Sequence, residues 1–183
     1  MKIRLAKDLD YDSIVDGEGI RAVIWTQGCI HNCPFCHNPE THSLNGGFLT
    51  DTNDIIKTIK SIEHQDGITL SGGDPMLQID AILEICKATK EIGLNIWVYT
   101  GFTFDTLLER SKKEENLKEL LKNIDVLVDG KFMIEKKSYD VIFRGSTNQR
   151  IIDVKKSLEQ NRPIEVAKYK QELTRKFERK TYV

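Results

Sequence analysis

Four short runs of apolar, largely β-branched residues recur along the chain: residues 20–27 (IRAVIWTQ), 67–71 (GITLS), 94–100 (LNIWVYT) and 124–129 (IDVLVD). Each is nearly continuous in apolar character, the pattern of a strand covered on both faces. Between the runs the spacing changes. Ile55, Ile56, Ile59 and Ile62 follow a helical stripe behind Thr52, and residues 77–92 repeat it with Ile79, Ile82, Leu83, Ile85 and Cys86. Two shorter helical pieces, residues 104–110 and 114–122, precede the fourth run. Such alternation predicts an α/β fold of parallel strands with covering helices. A complete eightfold barrel takes ~250 residues, so this chain can build a partial (βα) barrel or an open sheet. Functional residues are expected where the strands end.

The motifs follow that expectation. A stretch with three cysteines, GCIHNCPFCHNPETH (28–42), succeeds the first run; SGGDP (71–75), YTG (99–101) and VDGK (128–131) end the other three. All four therefore fall on one rim of the predicted sheet. With 183 residues, 39% of them hydrophobic and 8% aromatic, the chain fits one globular domain. The first residues lack the apolar core of a signal peptide, and no run approaches the ~18 apolar residues of a membrane span, so a cytoplasmic protein is expected. There thiols stay reduced, and clustered cysteines read as ligands or catalysts. Net charge is −1, but residues 155–180 hold nine Lys or Arg against four Glu, leaving an acidic body of eighteen basic and twenty-four acidic residues. The basic segment is read as a solvated helix face, with Val166, Tyr169, Leu173 and Phe177 on its apolar stripe, and neither nucleic acid nor membrane is expected as a partner.

Cys29, Cys33 and Cys36 place three thiolates on one short loop, whereas a closed metal site takes four ligands. His31 or His37 would complete a Cys3His zinc site in an interaction module. Alternatively the three hold an iron–sulfur cluster with one iron left open. Cys86, on the apolar face of a helix, reads as a core residue. Gly17-x-Gly19-x-x-Ala22 matches a dinucleotide fingerprint but precedes a strand, so no helix N-terminus would meet a pyrophosphate. There is no phosphate loop and no hydrolase triad.

C-x3-C-x-aromatic-C, here Cys29, Cys33, Phe35 and Cys36, resembles the signature of the radical S-adenosylmethionine superfamily, and GGDP resembles its glycine-rich motif. This resemblance implies a radical-SAM type partial barrel and a [4Fe-4S] cluster on Cys29, Cys33 and Cys36, whose open iron chelates S-adenosylmethionine. It further implies that Phe35 packs near the adenine and that Gly72, Gly73 and Asp74 meet the methionine amino group, with His37 and Thr100 also at the cofactor. VDGEGIR (15–21), WVYTG (97–101), LVDGKF (127–132) and RGSTNQR (144–150) extend the resemblance, over about residues 1–155, to the activating enzymes of glycyl-radical enzymes. Asp129 and Lys131 would then sit near the cofactor. Residues 1–155 would form the radical-SAM domain, and residues 156–183 a basic helical tail. The implied activity is reductive cleavage of S-adenosylmethionine, with the 5′-deoxyadenosyl radical taking hydrogen from a glycine of a partner enzyme; no acid–base side chain is needed. YTG and RGSTNQR resemble activases whose partner is the large subunit of anaerobic ribonucleoside-triphosphate reductase, while VDGxGIR is shared with those of pyruvate formate-lyase. A one-electron donor such as flavodoxin would complete the system.

Overall fold

The computed structural model describes residues 1–170. In chain order it contains β1 (Lys2–Leu5), β2 (Asp10–Ser13), β3 (Arg21–Thr26), β4 (Phe48–Asp51), α1 (Thr52–Ser61), β5 (Gly67–Gly72), α2 (Ile79–Glu91), β6 (Asn95–Thr100), α3 (Phe104–Ser111), α4 (Glu115–Asn123), β7 (Val126–Asp129), β8 (Arg150–Asp153) and α5 (Val154–Gln160). The four apolar runs are β3, β5, β6 and β7, neighbours in that order and all parallel. Around this parallel centre lie antiparallel strands. β1 and β2 both pair with β3, near its end and its start respectively, β4 extends the sheet from β1, and β8 pairs with β7.

Register sorts the side chains by face. Ile24, Leu70, Val98 and Leu127 stand in one row across the four parallel strands and lie in the core that the helices cover. One residue along, Trp25 sits beside Ser71 and Tyr99 beside Val128, so these point to the other face. The helices supply the complementary stripe: Ile55 and Ile59 of α1, Ile82, Ile85 and Cys86 of α2, Leu107 of α3 and Leu117, Leu120 and Leu121 of α4 are all buried. Each fully buried aliphatic side chain contributes roughly 1.5–3 kcal/mol. Three helices begin on side-chain caps, in which Asp51, Thr103 and Asp153 accept from the backbone N–H of Asn53, Thr106 and Lys156.

The second face is covered more sparingly. Trp97 and Val128 pack with Ile151 and Tyr169. Residues 164–170 reach this face through Val166, whose N–H donates to the Ile151 carbonyl at 2.8 Å. Tyr169 is buried edge-on against Trp97 and Phe143, and its hydroxyl donates to Glu18 Oε2 at 2.8 Å, beside a 2.6 Å bond from Lys168 to Glu18. The later residues of the predicted apolar stripe, Leu173 and Phe177, lie outside the described residues. Arg21 is buried beneath the same cluster, giving hydrogen bonds to Thr69 Oγ1 and to the carbonyls of Glu18 and Asn95; burial lowers its guanidinium pKa to about 10. No described helix is long and apolar enough to cross a membrane.

Candidate active site

The loop after β3 is held at both ends. Gly28 turns with φ near +101°, its N–H donates to the Thr41 carbonyl at 2.8 Å, and the Cys29 N–H donates to the His42 carbonyl at 3.1 Å. Buried Gln27 adds a 2.7 Å bond from its amide to the Ser43 carbonyl. Inside the closed loop Cys29, Cys33 and Cys36 are half-buried free thiols. Burial pushes the Cys29 and Cys33 thiols up, so ligation there must displace protons. Cys86 is fully buried in α2, its thiol pushed far up by desolvation.

The three cysteines open onto a cavity of about 400 Å³ over the second face of the sheet. That size lies within the usual range for small-molecule sites, ~300–1,000 Å³. Gly72, Gly73, Thr100, Lys131 and His37 also line it, with Trp25, Tyr99, Gly130 and Gln149. The two glycines are dictated by contact. A Cβ on Gly72 would stand 2.5 Å from the Thr26 carbonyl oxygen, and one on Gly73 2.3 Å from that of Gly28, because the end of β5 lies directly against the cysteine loop.

Three residues named from sequence do not line the cavity. Asp74 is wholly buried and accepts from His31, Thr100, Gly101 and Met76. Asp129, 1% exposed, accepts from the Phe104 N–H and from the Arg150 guanidinium. Phe35, at φ near +57°, is 78% exposed. The RGSTNQR stretch explains itself here. Asn148 donates to the Lys131 carbonyl at 2.9 Å and Gln149 to the Gly130 carbonyl at 3.0 Å, while Arg150 binds Asp129, so three successive residues hold the turn that presents Lys131. The motif was visible in the sequence; its target, about twenty residues upstream, was not.

A family model described as a 4Fe-4S single cluster domain matches residues 15–152. The chain is 39% identical over 145 residues to the anaerobic ribonucleoside-triphosphate reductase-activating protein of Salmonella typhi, covering 74% of this chain and 90% of that one. Its counterpart in Haemophilus influenzae is 35% identical over 146 residues, covering 75% and 90%, and that of Enterobacteria phage T4 is 32% identical over 158 residues, covering 78% and 93%. The chain belongs to the anaerobic ribonucleoside-triphosphate reductase-activating protein family. A 4Fe-4S cluster domain is present, and activating proteins of this family use S-adenosylmethionine as radical-SAM oxidoreductases.

The side chains fit those groups. Among the described residues no three His, Cys, Asp or Glu side chains converge on a single metal ion. A zinc site would bring its donors onto one ion at about 2.3 Å for each thiolate. A four-iron cluster gives each thiolate its own iron and so spreads them. His31 is bonded through Nε2 to Asp74, and His37 packs against Phe132 with ring centroids 4.7 Å apart. Three half-buried thiols facing an open cavity therefore suit a cluster with a vacant iron better than a closed zinc site.

Proposed function

We propose that this chain binds a [4Fe-4S] cluster through Cys29, Cys33 and Cys36, cleaves S-adenosylmethionine reductively in the adjoining cavity, and installs a glycyl radical on the large subunit of anaerobic ribonucleoside-triphosphate reductase. The observation carrying this reading is the meeting of three thiols, the Gly72–Gly73 strand end and the Gly130–Lys131 turn around one cavity. When bound, cluster and sulfonium cofactor supply the one-electron chemistry. The protein orients and shields. Gly72 and Gly73 let backbone approach the methionine end of the cofactor, Thr100 and His37 bound its position, and Lys131 brings a positive charge that complements a carboxylate. Asp129 serves through the turn that it and Arg150 anchor. Phe35, exposed beside the cysteines, would pack against the adenine.

Read as a partial barrel, the open sheet would leave the partner's glycine segment a way to the cavity. Efficient transfer requires reacting atoms within roughly 3–3.5 Å. Flavodoxin or a similar one-electron donor reduces the system, and a cytoplasmic setting suits both partners. The deciding experiment combines anaerobically reconstituted protein, reductant and S-adenosylmethionine with the reductase large subunit. A doublet in the electron-paramagnetic-resonance spectrum is expected, absent when the subunit's radical glycine is alanine. A doublet on pyruvate formate-lyase alone would reassign the partner. Deoxyadenosine release with no glycyl radical on either would end the activase reading.

A further inference from the structure

One of the three residues between the first two cysteines of the loop, His31, has its partner just beyond the end of β5. His31 Nε2 lies 2.6 Å from Asp74 Oδ2, with side chains 7% and 0% exposed. The same carboxylate accepts from Thr100 Oγ1 at 2.9 and 3.0 Å, from the Gly101 N–H at 3.0 Å and from the Met76 N–H at 2.9 Å. The imidazole is also fitted sterically. Its ring meets Phe102 edge-on at 4.6 Å, and a Cβ on Gly101 would come within 2.3 Å of it. One buried carboxylate thus ties together the cysteine loop, the end of β5 and the end of β6.

We infer that His31 is a positioning residue: through Asp74 it locks the cysteine loop onto β5 and β6, and Asp74 serves the cofactor site through this lock without touching the cofactor. The loop needs such a lock, since Asn32 and Phe35 lie in the left-handed region, where a backbone has little preference of its own to remain. A buried carboxylate bond is of the strong kind: removing His31 frees the loop from a carboxylate that Thr100, Gly101 and Met76 still hold, and removing Asp74 leaves all four donors without their acceptor. Ligand loops that are not held by such supporting contacts lose metal. The link to metal retention rests on the proposed cluster, whereas the lock itself rests on the hydrogen bonds of His31 and Asp74 alone.

The test uses the full chain in both states. In metal-free protein, amide hydrogen exchange across residues 28–37 is expected to rise roughly tenfold or more in His31→Ala and in Asp74→Ala. The double variant should rise no further than Asp74→Ala, because the His31 interaction is already lost there. After anaerobic reconstitution with iron and sulfide, the same variants should lose iron to a ferrous chelator faster by a similar factor, while protein that retains its cluster binds S-adenosylmethionine unchanged. His31→Gln, which keeps an N–H donor, should recover most of the protection, and the isosteric Asp74→Asn guards against a variant that fails to fold. Unchanged exchange in His31→Ala overturns the lock. So does loss of S-adenosylmethionine binding in Asp74→Ala or Asp74→Asn with normal exchange, which would make Asp74 a cofactor contact. If the unaltered protein takes up no iron, the proposed function fails, and the exchange measurement alone still decides the lock.

Discussion

Asp74 and Asp129 stand on the same rim, both buried, and each accepts a backbone N–H from a neighbouring turn: Met76 to Asp74 at 2.9 Å, Phe104 to Asp129 at 2.6 Å. Their side-chain partners differ. Asp129 is gripped by the fork of Arg150, with Nε to Oδ1 at 2.9 Å and Nη2 to Oδ2 at 2.5 Å, and the same guanidinium reaches Asp105 at 3.0 Å. The hydrogen bond with Asp129 is the main cause raising the guanidinium pKa, so this partner stays charged throughout. Asp74 has one imidazole nitrogen and a threonine hydroxyl. The β7–β8 side is therefore a fixed buttress of two paired strands, while the β5 side braces a loop without regular structure. Acidic residues beside cofactor motifs can act by holding backbone in place.

The largest expected effects lie on the braced side. Cys29→Ala, Cys33→Ala or Cys36→Ala should abolish cluster binding, read as iron content and visible absorbance, whereas Cys86→Ala should keep the cluster. Full iron content in any of the first three would remove the basis of the comparison. On the buttressed side, Asp129→Ala leaves the Phe104 N–H without its acceptor and the half-buried guanidinium with only the exposed Asp105. About 3 kcal/mol of stability should be lost in chemical denaturation, at the low end for a broken buried pair because the Arg150 side chain is 29% exposed. A stability change below ~0.5 kcal/mol would show that the pair is no buttress.

Lys131→Ala separates anchoring from contact. It should weaken S-adenosylmethionine binding by ~1.5–3 kcal/mol, as for one charge-assisted hydrogen bond, with denaturation unchanged. Equal affinity in calorimetry would return Lys131 to an ordinary surface role. The smallest effect belongs to an exposed acid as a contrast. Bonds from Lys168 and Tyr169 lower the Glu18 pKa below its ordinary 4.5. A carboxylate depressed on folding stabilises fully above 4.5 and loses that contribution as pH falls through its folded value. Glu18 is 58% exposed on its side chain, so only a few tenths of a kcal/mol should disappear on acidification below pH 4.5, and Glu18→Gln should flatten that part of the profile.

The parallel centre of the fold was legible because β3, β5, β6 and β7 are buried on both faces and so carry continuous apolar runs. The antiparallel additions were not. β2 reads DYDS and β4 FLTD, four residues each with exposed positions, and such short strands exist through pairing more than through their own pattern. β8 escaped for a related reason: RIID supplies only two apolar residues, yet pairs along the whole of β7. At the site, glycines and cysteines were readable since their chemistry is local. The partners of Asp74 and Asp129 were hidden, because His31 and Arg150 lie 43 and 21 positions away and only tertiary packing brings them close.

Cys86 gives the molecule a built-in clock. Only a thiolate attacks an alkylating reagent, and this thiol is both wholly enclosed and held protonated by its surroundings. In metal-free protein the three half-buried loop cysteines should take up reagent first, whereas a fourth label can arrive only when α2 comes away from the sheet. The delay between the third label and the fourth, followed by mass spectrometry under native conditions, would time that opening without any denaturant.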